Sequence, residues 1–269
     1  MRSLFAPTTT YLNTASYGLA PRAVAERVID AERDRMAGRL DLDEVDAAVA
    51  RSRELFGALV GVPAEQVAIG AQVSPLVGLV AAAVPAGTRV LVPEGEFTSV
   101  LWPFLSRPDL DVRMVPLDGF VAAIDDSVDL VAVAVVQSAD GALTDPRAVV
   151  DAAHAAGARA LLDVTQAAGW LPLDHVGDAD WIVCGGYKWL LAPRGSAFLA
   201  GTPEALELLR PAAAGWYAGD DPWASVYGGP LRLAPDARRF NISPAWSVWL
   251  GQAVALELLT SIGVPAVQA

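Results

Sequence analysis

From Gln66 to Gly201 short apolar segments alternate with amphipathic ones, and this alternation constrains the fold more than any other feature of the chain. QVAIG leads into SPLVGLVAAAV, TRVLVPEG into TSVLWPFLS, and VDLVAVAVVQ into TDPRAVVDAAHAAG. DVRMVPL, ARALLDV, DWIVCGG and GSAFLAG read as further strands. An unbroken apolar run such as VDLVAVAVVQ needs cover on both faces. Strands separated by helices imply an α/β fold, a mainly parallel central sheet covered by helices on both faces. Thr144 and Pro146 mark a helix start and Gly157 its stop. Two helical stretches, AVAERVIDAERDRMAG and DEVDAAVARSRELFGALVG, come before the alternation. After it come the loop GWYAGDDPWASVYGGP and a last helix, SPAWSVWLGQAVALELLTSIG. With 269 residues, 54% of them hydrophobic, the chain can bury one large core.

The totals narrow the partners. A formal charge of −12 argues against a nucleic-acid or anionic-membrane surface, because such surfaces need clustered cations. No apolar run is long enough, without charge or Pro/Gly interruption, to read as a membrane span. The one cysteine, Cys184, allows no internal disulfide and fits a reducing cytoplasm. His154 and His175 stand far apart with no ligand-like spacing, so no metal site is expected. Small molecules and other protein chains remain as partners.

In a parallel α/β sheet, ligands gather at the carboxyl ends of the strands. The residues just past each strand are Gly70–Ser74, Glu96–Ser99, Gln137–Gly141, Asp163–Gln166 and Tyr187–Lys188. Lys188 is the only lysine; the other 18 of the 19 basic residues are arginines. A compositional preference for arginine explains the scarcity but not the location. An amine with a usable neutral form can attack a carbonyl and form a Schiff base, which a guanidinium cannot do. Pyridoxal 5′-phosphate needs such a lysine, a carboxylate for its ring nitrogen, an aromatic face and a phosphate cup. Asp163, ending ARALLD 25 residues before Lys188, can pair with the ring nitrogen, and Gln166 with the phenolic oxygen. Taken singly, Asp163 could be a loop acid, Gln166 a turn amide and Phe97 a core aromatic.

The combination D-x-x-Q, strand, G-G-Y-K-x-x-x-x-P-x-G resembles the class V aminotransferase family of fold-type I pyridoxal-phosphate enzymes. The resemblance runs in order over nearly the whole chain and implies the large domain of that fold. Carried over by position, IGAQVS matches the phosphate turn, with Gln72 where threonine is common. The amides of Gln72 and Val73 at a helix N-terminus would still bind phosphate. Phe97 falls at the ring-stacking position. Ser138 or Gln137 falls at the strand end near the phenolic oxygen. Tyr187 stands where a histidine is common, its hydroxyl within reach of the phosphate, and Gly185 replaces a serine. RRFNISPAW, one residue shorter than the family segment, puts Ser243 where a threonine reaches a phosphate across a dimer interface. YLNTASYG resembles the substrate-side loop, with Asn13, Thr14 and Ser16 as contacts. Arg194 is expected either near the cofactor or in a structural ion pair.

The resemblance implies a homodimer with its active site at the interface, acting on an amino acid in the lyase, epimerase or aminotransferase branch, and the lone cysteine sets the expectation of a cytoplasmic protein. A sulfur-relay desulfurase is disfavoured, because that group's accepting cysteine lies much later in the chain. Residues 1–30 are expected to form the N-terminal segment and 31–269 the large cofactor domain. The family's small C-terminal domain, with its carboxylate-binding arginine, is expected to be missing through truncation. Two rivals remain: a degenerate homologue serving as a binding or dimerisation partner, and a nucleotide-binding α/β protein. The latter lacks both a G-x-G-x-x-G and a Walker-type turn.

Overall fold

The computed structural model describes residues 2–269. Its strands are β1 (Val67–Gly70), β2 (Arg89–Pro93), β3 (Asp111–Val115), β4 (Leu130–Ala134), β5 (Arg159–Asp163), β6 (Trp181–Gly185) and β7 (Ala197–Gly201). They form one sheet in the order β1-β7-β6-β5-β4-β2-β3. Every pairing from β3 across to β6 is parallel, and β7 is antiparallel to both its neighbours. β7 alone therefore runs against the rest. The cause is local: a helix separates most of the earlier strands, but only the short segment 186–196 joins β6 to β7. Parallel pairing requires a long crossover, so a short connection returns the chain antiparallel.

The helices are α1 (Arg22–Met36), α2 (Leu42–Val60), α3 (Val73–Ala83), α4 (Thr98–Leu105), α5 (Pro146–Ala155), α6 (Pro203–Glu207), α7 (Trp246–Ile262) and α8 (Val264–Gln268). Their ends follow from side-chain chemistry. The Asp41 carboxylate accepts from the amides of Asp43 and Glu44 to open α2, and Gly61 closes it at φ 82°. At α5 the cap is Asp145, not Thr144. Its carboxylate accepts from the amides of Arg147 and Ala148 with Pro146 in the first turn, while the Thr144 hydroxyl is buried without a partner. The short helices α6 and α8 were not expected; each opens with a proline in its first turn. α1 runs across residue 30, and its Val24 packs with Ala192 and with Ala255 of α7.

Side chains alternate between two apolar layers, as a pleated strand requires. Ile69, Val131, Val133, Leu162 and Ile182 face one layer, with Phe56 of α2, Val149 of α5 and Trp249 of α7. Ala68, Val92, Leu161, Val183 and Leu199 face the other, with Val77 of α3 and Phe104 of α4. The sheet is covered on both sides, as the apolar strands demanded. Phe56 stacks on Phe198 at 4.3 Å and 7°, and Trp249 meets Phe198 edge-on at 5.3 Å. These rings tie α2 and α7 to the reversed strand. The same helix presses on the turn before the lysine. A Cβ on Gly186 would come within 2.0 Å of Gln252 Oε1 and 2.4 Å of Ser196 Oγ, so a side chain there would push this buried hydrogen-bonded pair aside. Among the described residues, no helix is long and apolar enough to cross a membrane.

Trp249 is fully buried at this junction. Trp249→Ala should lower stability by about 3–5 kcal/mol, the range for deleting a large buried aromatic, read from the denaturant midpoint of unfolding.

Candidate active site

Because six strands share one direction, their carboxyl ends deliver loops to a single edge, and the reversed β7 brings its amino end there too. A cleft of about 610 Å³, including its open mouth, lies along that edge. Gln72 and Val73 enter it after β1, Phe97 and Ser99 after β2, and Val136 and Ser138 after β4. Asp163, Thr165 and Gln166 come from the end of β5, Tyr187 and Lys188 after β6, and Arg194 before β7. Seven of the eight residues expected to touch the cofactor, and Lys188 with them, therefore share one cleft.

Lys188 is 4% exposed. Its Nζ lies 4.9 Å from the centroid of the Phe97 ring and 6.0 Å from that of Tyr187. Burial pushes its pKa below the usual lysine value, and the negative charge of Asp163 opposes the shift. The amine is thus biased toward its neutral, nucleophilic form. Phe97 is 40% exposed, so it is a cleft wall and not a core aromatic. Asp163 is buried, and desolvation raises its pKa to about 6 against the hydrogen bonding of Thr165. The Thr165 amide donates to Asp163 Oδ1 at 2.8 Å, and the Thr165 hydroxyl accepts from the Gly185 amide at 2.9 Å. One threonine thereby joins the ends of the acid strand and the lysine strand.

Gln166 is fully engaged. Its Nε2 donates to Ala15 O at 2.9 Å and to Ser138 Oγ at 3.0 Å, and its Oε1 accepts from Trp189 Nε1 at 2.8 Å. A contact from Gln166 to a ligand's phenolic oxygen therefore requires one of these donors to turn. Gln137 points away from the cleft, donating to Glu96 Oε2 at 2.9 Å, so Ser138 is the side chain offered from this strand end. Glu96, for which the sequence suggested no role, is the hidden organiser. It is buried, and it accepts from the amides of Phe97 at 2.7 Å and Ala134 at 2.8 Å as well as from Gln137. It locks the Phe97 wall to the end of β4. Its only signal in the sequence was its position just past a strand.

The N-terminal loop reaches the site by backbone rather than by the side chains expected. Asn13, Thr14 and Ser16 do not line the cleft; Thr14 lines a separate hollow with Trp170 and Trp189. Instead Ala15 O accepts from Gln166, Tyr17 packs against Tyr187 at 6.0 Å, and the Gly18 amide donates to Tyr187 O at 2.8 Å. A Cβ on Gly18 would lie 2.0 Å from Lys188 O, so glycine is what permits this approach. Ser243 is exposed and lies outside the cleft of its own chain. Arg194 lines the cleft with no ion-pair partner among the described residues, which removes the structural ion pair as its role.

Residues 44–269 match the family described as Aminotransferase class-V. The chain belongs to the class-V aminotransferase family. It is 29% identical to isopenicillin N epimerase of Streptomyces clavuligerus, over 100% of this chain and 73% of that one. It is 25% identical to a probable cysteine desulfurase of Synechocystis, covering 94% of this chain and 65% of the relative. Among solved structures, a cystine C–S lyase in complex with its product cysteine persulfide superposes with a TM-score of 0.83 at 19% identity, over 95% of this chain and 73% of that one. The chain spans between about three fifths and three quarters of the length of such relatives. The fold is that of the fold-type I pyridoxal-phosphate enzymes, and the family's cofactor is pyridoxal 5′-phosphate. The cleft fits it. It holds a buried amine biased toward neutrality, an open aromatic face, a buried acid, and a helix N-terminus whose first amides no side chain caps.

Asp163 gives the site a pH signature. The folded chain holds its proton up to about pH 6, whereas the unfolded chain releases it near the ordinary 3.8. Burying this acid therefore lowers the stability of the cofactor-free protein progressively as pH rises from about 4 to about 6, and the cost persists above that. Asp163→Asn keeps an oxygen for the Thr165 amide and removes the titration. In denaturant unfolding the variant should exceed wild type by about 3 kcal/mol at pH 7.5, an order-of-magnitude figure, with the gap closing by pH 4.

Proposed function

We propose that this class-V aminotransferase family member acts on an amino acid, with Lys188 as the amine that bonds the cofactor's aldehyde carbon. The carrying observation is a buried lysine, its pKa lowered by burial, in one cleft with a buried acid and an open aromatic face. Phe97 would cover one face of the pyridine ring. Asp163, ionised above about pH 6, would hold a proton on the ring nitrogen. The uncapped amides at the start of α3 and the Tyr187 hydroxyl would meet the phosphate. When bound, the cofactor supplies an electron sink for a carbanion at the amino acid's α-carbon. Lys188 is the amine that would take and return a proton there. Phe97 offers no acid or base, so the face it covers leaves that proton to Lys188.

Cys184 supports the choice of branch. It is fully buried, and burial pushes its thiol pKa well above the usual range, so it is no sulfur acceptor for a substrate. The lyase, epimerase and aminotransferase branches fit better than a sulfur relay through this cysteine. The exposed Ser243, on the segment before α7, supports a homodimer in which it enters the partner's cleft. A cytoplasmic setting accords with a lone reduced cysteine.

The test is reconstitution. Purified protein given pyridoxal phosphate should gain a visible absorbance band. Borohydride should bleach that band, and peptide mapping should place the added mass on Lys188. Lys188→Ala should show no such band and no fixed mass. Wild-type protein that stays colourless, or an adduct on another residue, defeats the reading.

A further inference from the structure

Arg194 is the second cation in the cleft, and nothing above assigns it a partner. The proposal that follows rests on the pyridoxal-phosphate reading. Arg194 sits just before β7, whose amino end lies between β1 and β6. In register, Ala197 pairs with Gly70 on one side and Gly185 on the other. The segment carrying Arg194 is therefore flanked by the chain that enters α3 and by the chain that leads to Lys188. Side chains confirm the placement. The Arg194 guanidinium carbon lies 5.0 Å from the centroid of the Tyr187 ring. That ring reaches back toward α3, because a Cβ built on Gly185 would meet Tyr187 Cε1 at 3.4 Å and Val73 Cγ2 at 3.6 Å. Arg194, Tyr187 and the α3 N-terminus thus enclose one corner of the cleft.

That corner lacks charge compensation. Gln72 supplies no side-chain cap, and no charged residue stands in the first turn of α3. A phosphate monoester carries about −1.5 to −2 near neutral pH, while a helix N-terminus offers the equivalent of about half a positive charge. Asp163 in the cleft and Glu96 behind it add further negative charge. Lys188 Nζ lies over Phe97 and is committed to the aldehyde carbon. The remaining group that can balance a phosphate is the guanidinium, whose planar fork suits two phosphate oxygens at once. We propose that Arg194 binds the cofactor's phosphate, completing with the α3 amides an anion site held in place by the Tyr187 ring.

Titration of cofactor-free wild type, Arg194→Ala and Arg194→Lys with pyridoxal phosphate and with pyridoxal, which lacks the phosphate, tests this. Arg194→Ala should weaken pyridoxal phosphate by about 10- to 100-fold, the loss expected for one charged hydrogen-bonding pair, and leave pyridoxal within about twofold. Arg194→Lys should recover part of the loss, since charge survives but the fork does not. Inorganic phosphate should compete with pyridoxal phosphate in wild type and less well in Arg194→Ala. Equal weakening of both aldehydes would overturn the proposal in favour of a structural role. Unchanged pyridoxal phosphate affinity with a raised requirement for amino acid would overturn it in favour of a substrate-carboxylate contact. Wild type that binds neither aldehyde would overturn the underlying function instead, before any variant is compared.

Discussion

The site depends on an unfavourable act, the burial of an amine and a carboxyl group in the same cleft. Lys188 and Asp163 are each about 5% exposed or less. Withdrawal from water disfavours both charges, raising the acid toward pH 6 and lowering the amine, and their mutual attraction only partly offsets this. In a purely structural pair such poise would be wasteful. Under the proposed function the amine's poise is the one a carbonyl-bonding group needs, while the acid carries its charge only above about pH 6. The cost falls on the rest of the fold, whose two apolar layers anchor the strands that end at these residues.

Much of the remaining hydrogen bonding in the cleft serves placement. Thr165 joins the ends of β5 and β6, Glu96 joins the end of β4 to the Phe97 wall, and Gln166 joins the N-terminal loop, Ser138 and Trp189. A buried carboxylate with three good donors is affordable where an unsatisfied one is not. Glu96 meets that condition, and it fixes a ring that has one face open to the cleft. The walls are held before any ligand arrives, and binding then costs less ordering.

The alternation of strands and helices was legible because burial on both faces leaves unbroken apolar runs, and the order of the strand ends located the cleft. That Lys188, Asp163, Phe97 and the Gln72–Val73 turn would share one cleft was legible because residues just past parallel strands gather at one edge of the sheet. What the linear order concealed was direction and partnership. The reversal of β7 follows from the length of one connection, and it alone brings Arg194 to the cleft. Gln166 was readable as an amide but not as one already spent on Ala15, Ser138 and Trp189. In YLNTASYG the polar side chains drew attention, yet the loop docks through Ala15 O, Tyr17 and the bare backbone of Gly18. Thr144 looked like a cap, but Asp145 beside it had the carboxylate positioned to accept from two amides.

The reversed strand also places a cation in the cleft of an acidic protein. A net charge of −12 makes the surface as a whole repel phosphates and carboxylates. The segment 186–196 overcomes this locally by folding back, so that Lys188 at its start and Arg194 near its end both line one cleft. Held on one turn against low-dielectric walls, with Gly186 pressed to α7 and Leu191 closing the turn onto Lys188 O at 3.1 Å, Arg194 is the standing positive charge, and its presence helps to lower the pKa of the Lys188 amine. The helix α7 that meets Phe198 through Trp249 thus also presses, through Gln252, on Gly186 in the turn that carries the chain's only lysine.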